Sequence, residues 1–244
     1  MSRWKKLGII AGVLAVLMAV LAVSARKGIN HFLYPLAPSM PPVVNDPMAN
    51  ILAALECVLQ TNAPEVLAGL QPGLTVAQIT KLENQYHIQL PPDIEAIYEW
   101  RDGARESTNN VSVDIIPIHR FLPLEEALED RASFLNCASP GQKFLFDTLL
   151  GFRASWVCLF SDGSRDGYWF DPMRKPSEGA VFSTFIEEND YVFFPSAKNL
   201  MAGIVRCYQE KVYWVKSGAS LAQVDEDLQR ADKIWGEFGT SNLP

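Results

Sequence analysis

Leu7 to Ala25 reads LGIIAGVLAVLMAVLAVSA, 19 residues without a charge. As an α-helix this stretch rises about 28 Å, close to the thickness of a bilayer's hydrocarbon core. A core helix that is apolar on every side is uncommon, and rarer still directly behind a basic cluster. Arg3, Lys5 and Lys6 precede the run, and Arg26 and Lys27 follow it. The favoured reading is a retained signal anchor over residues 1–27, crossing the membrane through residues 7–25. The heavier positive charge at the front puts the amino terminus in the cytoplasm and the body on the periplasmic or outer face. The alternative is a cleaved signal peptide, which would release a secreted form, because Val23-Ser24-Ala25 offers compact residues to signal peptidase. The run is longer than most signal-peptide cores, which favours retention.

Behind the apolar run, residues 35–47 read PLAPSMPPVVNDP, with five prolines. Proline fixes φ and removes an amide donor, so this stretch predicts a semi-rigid, polyproline-like spacer rather than helix or sheet interior. The expected organisation is therefore an anchor over 1–27, a Pro-rich linker over 28–46 and a folded domain over 47–244. Charge separates the parts as well. Residues 1–27 hold five cations and no acid, which leaves residues 28–244 with 16 cations against 28 acids, a balance of −12. A body this acidic repels phosphate backbones, so a nucleic-acid role is disfavoured and a basic partner is the better fit. The chain is 48% hydrophobic and 11% aromatic, which suffices for a packed core and excludes whole-chain disorder.

Helical spacing recurs along the body. Asp46-Pro47 predicts an N-cap and first helical residue for a helix to about Gln60, with Ile51, Leu52, Leu55, Val58 and Leu59 inward. Thr75-x-x-Gln78 is a capping box, with Val76, Ile79, Leu82 and Tyr86 as its buried stripe. Asp93 to about Arg101 predicts a short helix, closed by Gly103 in a left-handed position. Val111 to Ile118 predicts a strand, and Leu124 to Leu135 a helix. Trp156 to Phe160 and Tyr168 to Asp171 predict two antiparallel strands joined by a glycine-rich turn, with Ala180 to Ile186 a third. Ser196 to Tyr208 predicts a helix, Val212 to Val215 an edge strand, and about Leu221 to Trp235 a last helix with acids at its start. Helices alternating with hairpin-linked strands predict an α+β fold, an antiparallel sheet flanked by helices and preceded by one transmembrane helix.

Catalytic signatures are sparse. The chain carries no G-x-S-x-G, H-E-x-x-H, P-loop or G-x-G-x-x-G motif. His31 lies beside the apolar run, and His87 and His119 read as structural. A Cys137–His119 pair has no supporting pattern. The paired acids Glu125-Glu126 and Glu187-Glu188 read as solvated faces. Cys57, Cys137, Cys158 and Cys207 show no CxxC spacing, so no zinc site is expected. Cys57 and Cys207 read as buried thiols, and an extracytoplasmic body would permit one disulfide without specifying the pair. Asp162-x-Ser164-x-Asp166-Gly167 has the oxygen spacing of a calcium loop but lacks the closing glutamate, so a hairpin turn is the better reading. No cofactor and no metal are expected.

Several motifs in fixed order resemble the Smi1/Knr4 family, the SUKH superfamily. They are Ile79-x-x-Leu82-Glu83, then Ile88-Gln89-Leu90-Pro91-Pro92-Asp93, then Ile97-Tyr98-x-Trp100-x-Asp102-Gly103. Ile115-Ile116-Pro117-Ile118, Asp162-Gly163 to Tyr168-x-x-Asp171 and Phe194-Pro195-Ser196 follow. Asp102 stands where asparagine is common in that family. The resemblance spans about residues 70–215. It implies a non-enzymatic α+β domain that acts by binding a protein, as immunity proteins neutralise a toxin. The alternative it implies is a membrane-tethered scaffold or regulator of cell-wall or envelope assembly, binding envelope proteins. An anchor departs from the usual cytoplasmic member and leaves room for that envelope role. Aromatic anchors with acidic neighbours suit a basic toxin domain as partner, so the candidate contact residues are Trp100, Asp102, Asp162, Asp166, Trp169 and Asp171. Tyr168 and Trp169 point to opposite faces of their strand, so one of the two is expected to be buried.

Overall fold

The computed structural model describes residues 42–105, 114–137, 156–164, 166–172, 180–184, 192–217 and 222–241. These residues fall within one compact unit, Ser39–Ala138 with Ala154–Pro244. The predicted anchor, most of the linker, His31, Val111 and Val113 lie outside the described residues. Among the described residues no helix is long and apolar enough to cross a membrane.

Helix α1 (Met48–Asn62) buries the stripe Met48, Ile51, Leu52, Leu55 and Leu59. Leu55 and Leu59 are fully enclosed, which is worth about 1.5–3 kcal/mol each as area removed from water. The helix starts one residue later than expected: Pro47 is its N-cap and no side chain caps it. Pro64 does not only end α1; it opens a short second helix, α2 (Pro64–Gly69), as proline at the first helical turn costs no hydrogen bond.

Strand β1 (Leu70–Pro72) leads to α3 (Val76–Tyr86), whose Thr75–Gln78 capping box is formed reciprocally. Ile79 and Leu82 are buried, but Val76, at the first helical position, is 65% exposed. Helix α4 (Pro92–Trp100) buries Ile94, Ile97 and Tyr98. It ends without a glycine cap. The chain extends directly into β2 (Arg101–Ala104), which pairs antiparallel with β1, and Gly103 takes its positive φ inside that strand.

The expected strand at Ile115–Ile118 is a tight turn. Ile116 bridges His119, and the His119 amide donates to the Ile116 carbonyl at 3.0 Å. Strand β3 (Arg120–Phe121) and helix α5 (Leu124–Cys137) follow. Strands β4 (Val157–Ser161), β5 (Gly167–Phe170), β6 (Val181–Thr184) and β7 (Val192–Phe194) precede α6 (Ala197–Gln209). Then come β8 (Tyr213–Ser217), β9 (Ala222–Glu226), α7 (Leu228–Phe238) and β10 (Thr240–Ser241).

The main sheet is antiparallel throughout, in the order β10-β7-β6-β5-β4-β3. Strands β8 and β9 form a separate antiparallel pair. The last helix therefore starts at Leu228, capped by the Asp227 side chain at the Arg230 amide, and the acids expected in its first turn belong to β9 and the cap.

A run of aromatic rings joins the layers. Tyr98 of α4 meets Phe121 at 5.5 Å, Phe121 meets Phe160 at 5.1 Å, and Phe160 meets Tyr168 at 6.0 Å. Tyr168 and Phe194 then meet Trp235 of α7 at 6.5 and 5.5 Å. Period-two alternation on β5 puts Tyr168 and Phe170 in this core and leaves Trp169 half-buried on the other face. His119 joins the core as a structural residue, with Nδ1 2.8 Å from the Pro117 carbonyl and its ring edge-on to Tyr168. Cys57, Cys158 and Cys207 are free. Cys57 is exposed, contrary to expectation, because it sits off the buried stripe of α1; burial pushes the Cys207 thiol up to about 12.

Candidate acidic cleft

Two neighbouring segments and a third, distant one close around a cleft of about 480 Å³. The 114–122 segment contributes Asp114, Ile118, Arg120 and Leu122. Helix α5 contributes Glu126 and Asp130, one turn apart on the same side. The β4–β5 turn contributes Ser161, Asp162, Gly163 and Ser164. Among the described residues, four acids thus face one cation, and that cation is already engaged: Arg120 Nη2 donates to Glu126 Oε1. Arg120 Nη1 is buried with no hydrogen-bond acceptor among the described residues. Partial desolvation, with Glu126 close by, raises the Asp130 carboxyl above its ordinary value, and Arg120 offsets part of that. A recess of this charge focuses a negative potential and attracts cationic side chains.

The lip of the cleft carries Ile118. This β-branched residue adopts φ +58° and exposes 73% of its surface. Left-handed backbone costs a β-branched residue about 1–3 kcal/mol, and strain of this kind concentrates at functional positions. The arrangement sets an apolar contact beside an acidic recess.

The β4–β5 turn is a hairpin turn. Asp162 Oδ1 accepts from the Ser164 amide and hydroxyl, both at 2.8 Å, and Gly163 takes φ +85°. Arg165 lies outside the described residues. Among the described residues, no group of three or more His, Cys, Asp or Glu side chains is placed to hold a metal ion.

The structure divides the residues singled out from sequence. Asp162 lines the cleft. Asp166 is in the same turn, half-buried, with its carbonyl accepting from the Asp162 amide at 3.2 Å. Trp169 lies on β5, paired with Phe182 of β6. Asp171, just past β5, is 5% exposed. Trp100 and Asp102 lie at the α4–β2 junction and carry internal bonds. Trp100 Nε1 donates to Glu56 Oε2 at 2.5 Å, and Arg101 Nη2 donates to Glu56 Oε1 at 2.6 Å. Asp102 Oδ1 accepts from the Leu124 amide at 2.9 Å, which caps α5 from across the fold. Burial raises the Asp102 carboxyl above its ordinary value, and the bond from Leu124 works against that shift.

Asp114, Ile118, Arg120, Glu126 and Asp130 were not among the sequence candidates. Glu126 and Asp130 had a legible signal, two acids four apart on a predicted helix. Nothing in the sequence states that the 114–122 turn and the β4–β5 turn face that helix.

The fold and cleft together define an α+β domain with an antiparallel sheet, helices packed against it and a polar recess at one end of a hairpin. The model of the SMI1/KNR4 family (SUKH-1) matches residues 73–202, more than half of the chain, and the chain belongs to that family. No curated protein matches it.

Proposed function

We propose that this chain is a non-enzymatic protein-binding module that receives a basic segment of a toxin or effector partner in the acidic cleft, as an immunity protein does. The observation that supports this reading is the pairing of the acidic recess with the exposed, strained Ile118 at its lip. Family membership is consistent with a protein-binding role. Complementary charge steers encounter, while a desolvated apolar contact supplies affinity.

The test is capture of partners from the native host after mild cross-linking, with wild type beside an Asp130→Lys/Asp162→Lys variant. One stoichiometric basic partner is expected. The variant is expected to weaken it by about tenfold or more, with the wild-type complex sensitive to salt. Equal retention by wild type and variant would remove the cleft from the mechanism. A set of envelope-assembly proteins in place of one partner would favour the scaffold reading.

In this reading residues 7–25 tether the chain to the membrane, with the domain outside the cytoplasm. The full chain is then expected in the membrane pellet after alkaline carbonate washing, with an intact amino terminus. A soluble protein beginning after Ala25 would mean a cleaved signal instead.

A further inference from the structure

Asn199 is 1% exposed in the first turn of α6, and its side chain joins three separated parts of the chain. Oδ1 accepts from the Val44 amide at 3.1 Å and from the Ser196 hydroxyl at 2.7 Å. Nδ2 donates to the Pro42 carbonyl and to the Phe238 carbonyl, each at 3.1 Å. Both amide hydrogens and two acceptor sites are used, so the hydrogen-bonding capacity of the side chain is matched. Aspartate has the same shape but lacks the two donors, and leucine lacks all four contacts.

Pro42 and Val44 lie before the family match and Phe238 lies after it, whereas Ser196 and Asn199 lie within it. We infer that Asn199 is a clasp that couples the segment leading into the domain to the C-terminal end of α7, so that the two open together. The coupling has a direct reach into the sheet. Phe238 ends α7, the Gly239 amide donates to the Trp235 carbonyl, and β10 then pairs with the outer side of β7. Releasing the lead-in segment therefore frees the end of α7 and uncovers the β7 edge, which is a conformational switch operated from the amino-terminal side. Buried polar networks behave in this all-or-none way because a partly satisfied one leaves desolvated groups unpaired.

Residue-resolved hydrogen exchange on the full chain in detergent tests the coupling. In wild type, the Val44 and Gly239 amides are expected to share one protection factor, below that of Leu55 and Leu59 inside α1. Asn199→Asp is expected to accelerate Val44 and Gly239 together by about tenfold or more and leave Leu55 and Leu59 slow. Ser196→Ala, which removes one of the four bonds together with the α6 cap from the Asn199 amide to the Ser196 hydroxyl, is expected to loosen the same pair by a smaller factor. Acceleration at Val44 alone, or no acceleration at either site, overturns the clasp. If Asn199→Asp fails to fold, the wild-type comparison decides: unequal protection at Val44 and Gly239 overturns the coupling.

Discussion

Gly73→Ala is expected to destabilise the domain by about 3 kcal/mol or more, among the largest losses of any single methyl addition at the described glycines. A Cβ built at Gly73 lies 1.8 Å from the Glu99 carbonyl oxygen, 2.5 Å from the Glu99 carbonyl carbon and 2.9 Å from that of Trp100. All three are backbone atoms in the last turn of α4, so no side-chain rotation relieves the clash. The next residue holds the two segments together, because the Leu74 amide donates to the Tyr98 carbonyl at 2.9 Å. Relief requires moving α4, which carries Ile94, Ile97 and Tyr98 into the core. In thermal unfolding the loss corresponds to about 6–12 °C for a domain of this size. A shift under about 1 kcal/mol in denaturant titration would show that the segment yields easily and that the close approach is not a constraint.

Gly103→Ala is expected to cost a similar amount for two reasons acting together. Gly103 has φ +74°, where an L side chain is strained by about 1–2 kcal/mol. Its Cβ would also lie 2.3 Å from the Pro123 nitrogen and 2.6 Å from the Leu122 carbonyl carbon. The substitution pushes β2 away from the segment that starts α5, and so pulls Asp102 off the Leu124 amide. Asp102→Asn is the control. Asparagine keeps the accepting oxygen, so that variant is expected to stay within about 0.5 kcal/mol of wild type. A large loss from Asp102→Asn with a small one from Gly103→Ala would reverse this account. The pair that marks the family resemblance thus has an architectural explanation here: the acid caps a helix and the glycine admits the neighbouring backbone.

Much of the fold was legible because local rules and tertiary packing agree. The apolar spacing of α1, α4, α5 and α6, the Thr75 capping box and the β4–β5 hairpin all match. The misses arise where packing chooses between local options. Val76 fits the helical stripe but sits at its first turn, beyond the core. Residues 222–226 read as the start of an acidic helix, yet they pair with β8, with Val224 buried. Apart from these misses, Trp100 and Asp102, candidate contact residues by type and charge, also have internal partners in Glu56 and the Leu124 amide, which residue type does not reveal.

The α+β class, the main helices, the central hairpin and the family are legible in the residues alone, because each depends on residue order over a few turns or on motif spacing. Which acids meet is settled by the packing of the folded chain. Asp162 comes from a turn remote in sequence from Asp114, Glu126 and Asp130, and their proximity follows from how α5 packs beside the β3–β4 pair. The same is true of Asn199, whose four partners span residues 42 to 238. Local pattern governs which face of an element is buried. Chain topology governs which faces are brought together, and both the cleft and the clasp depend on that.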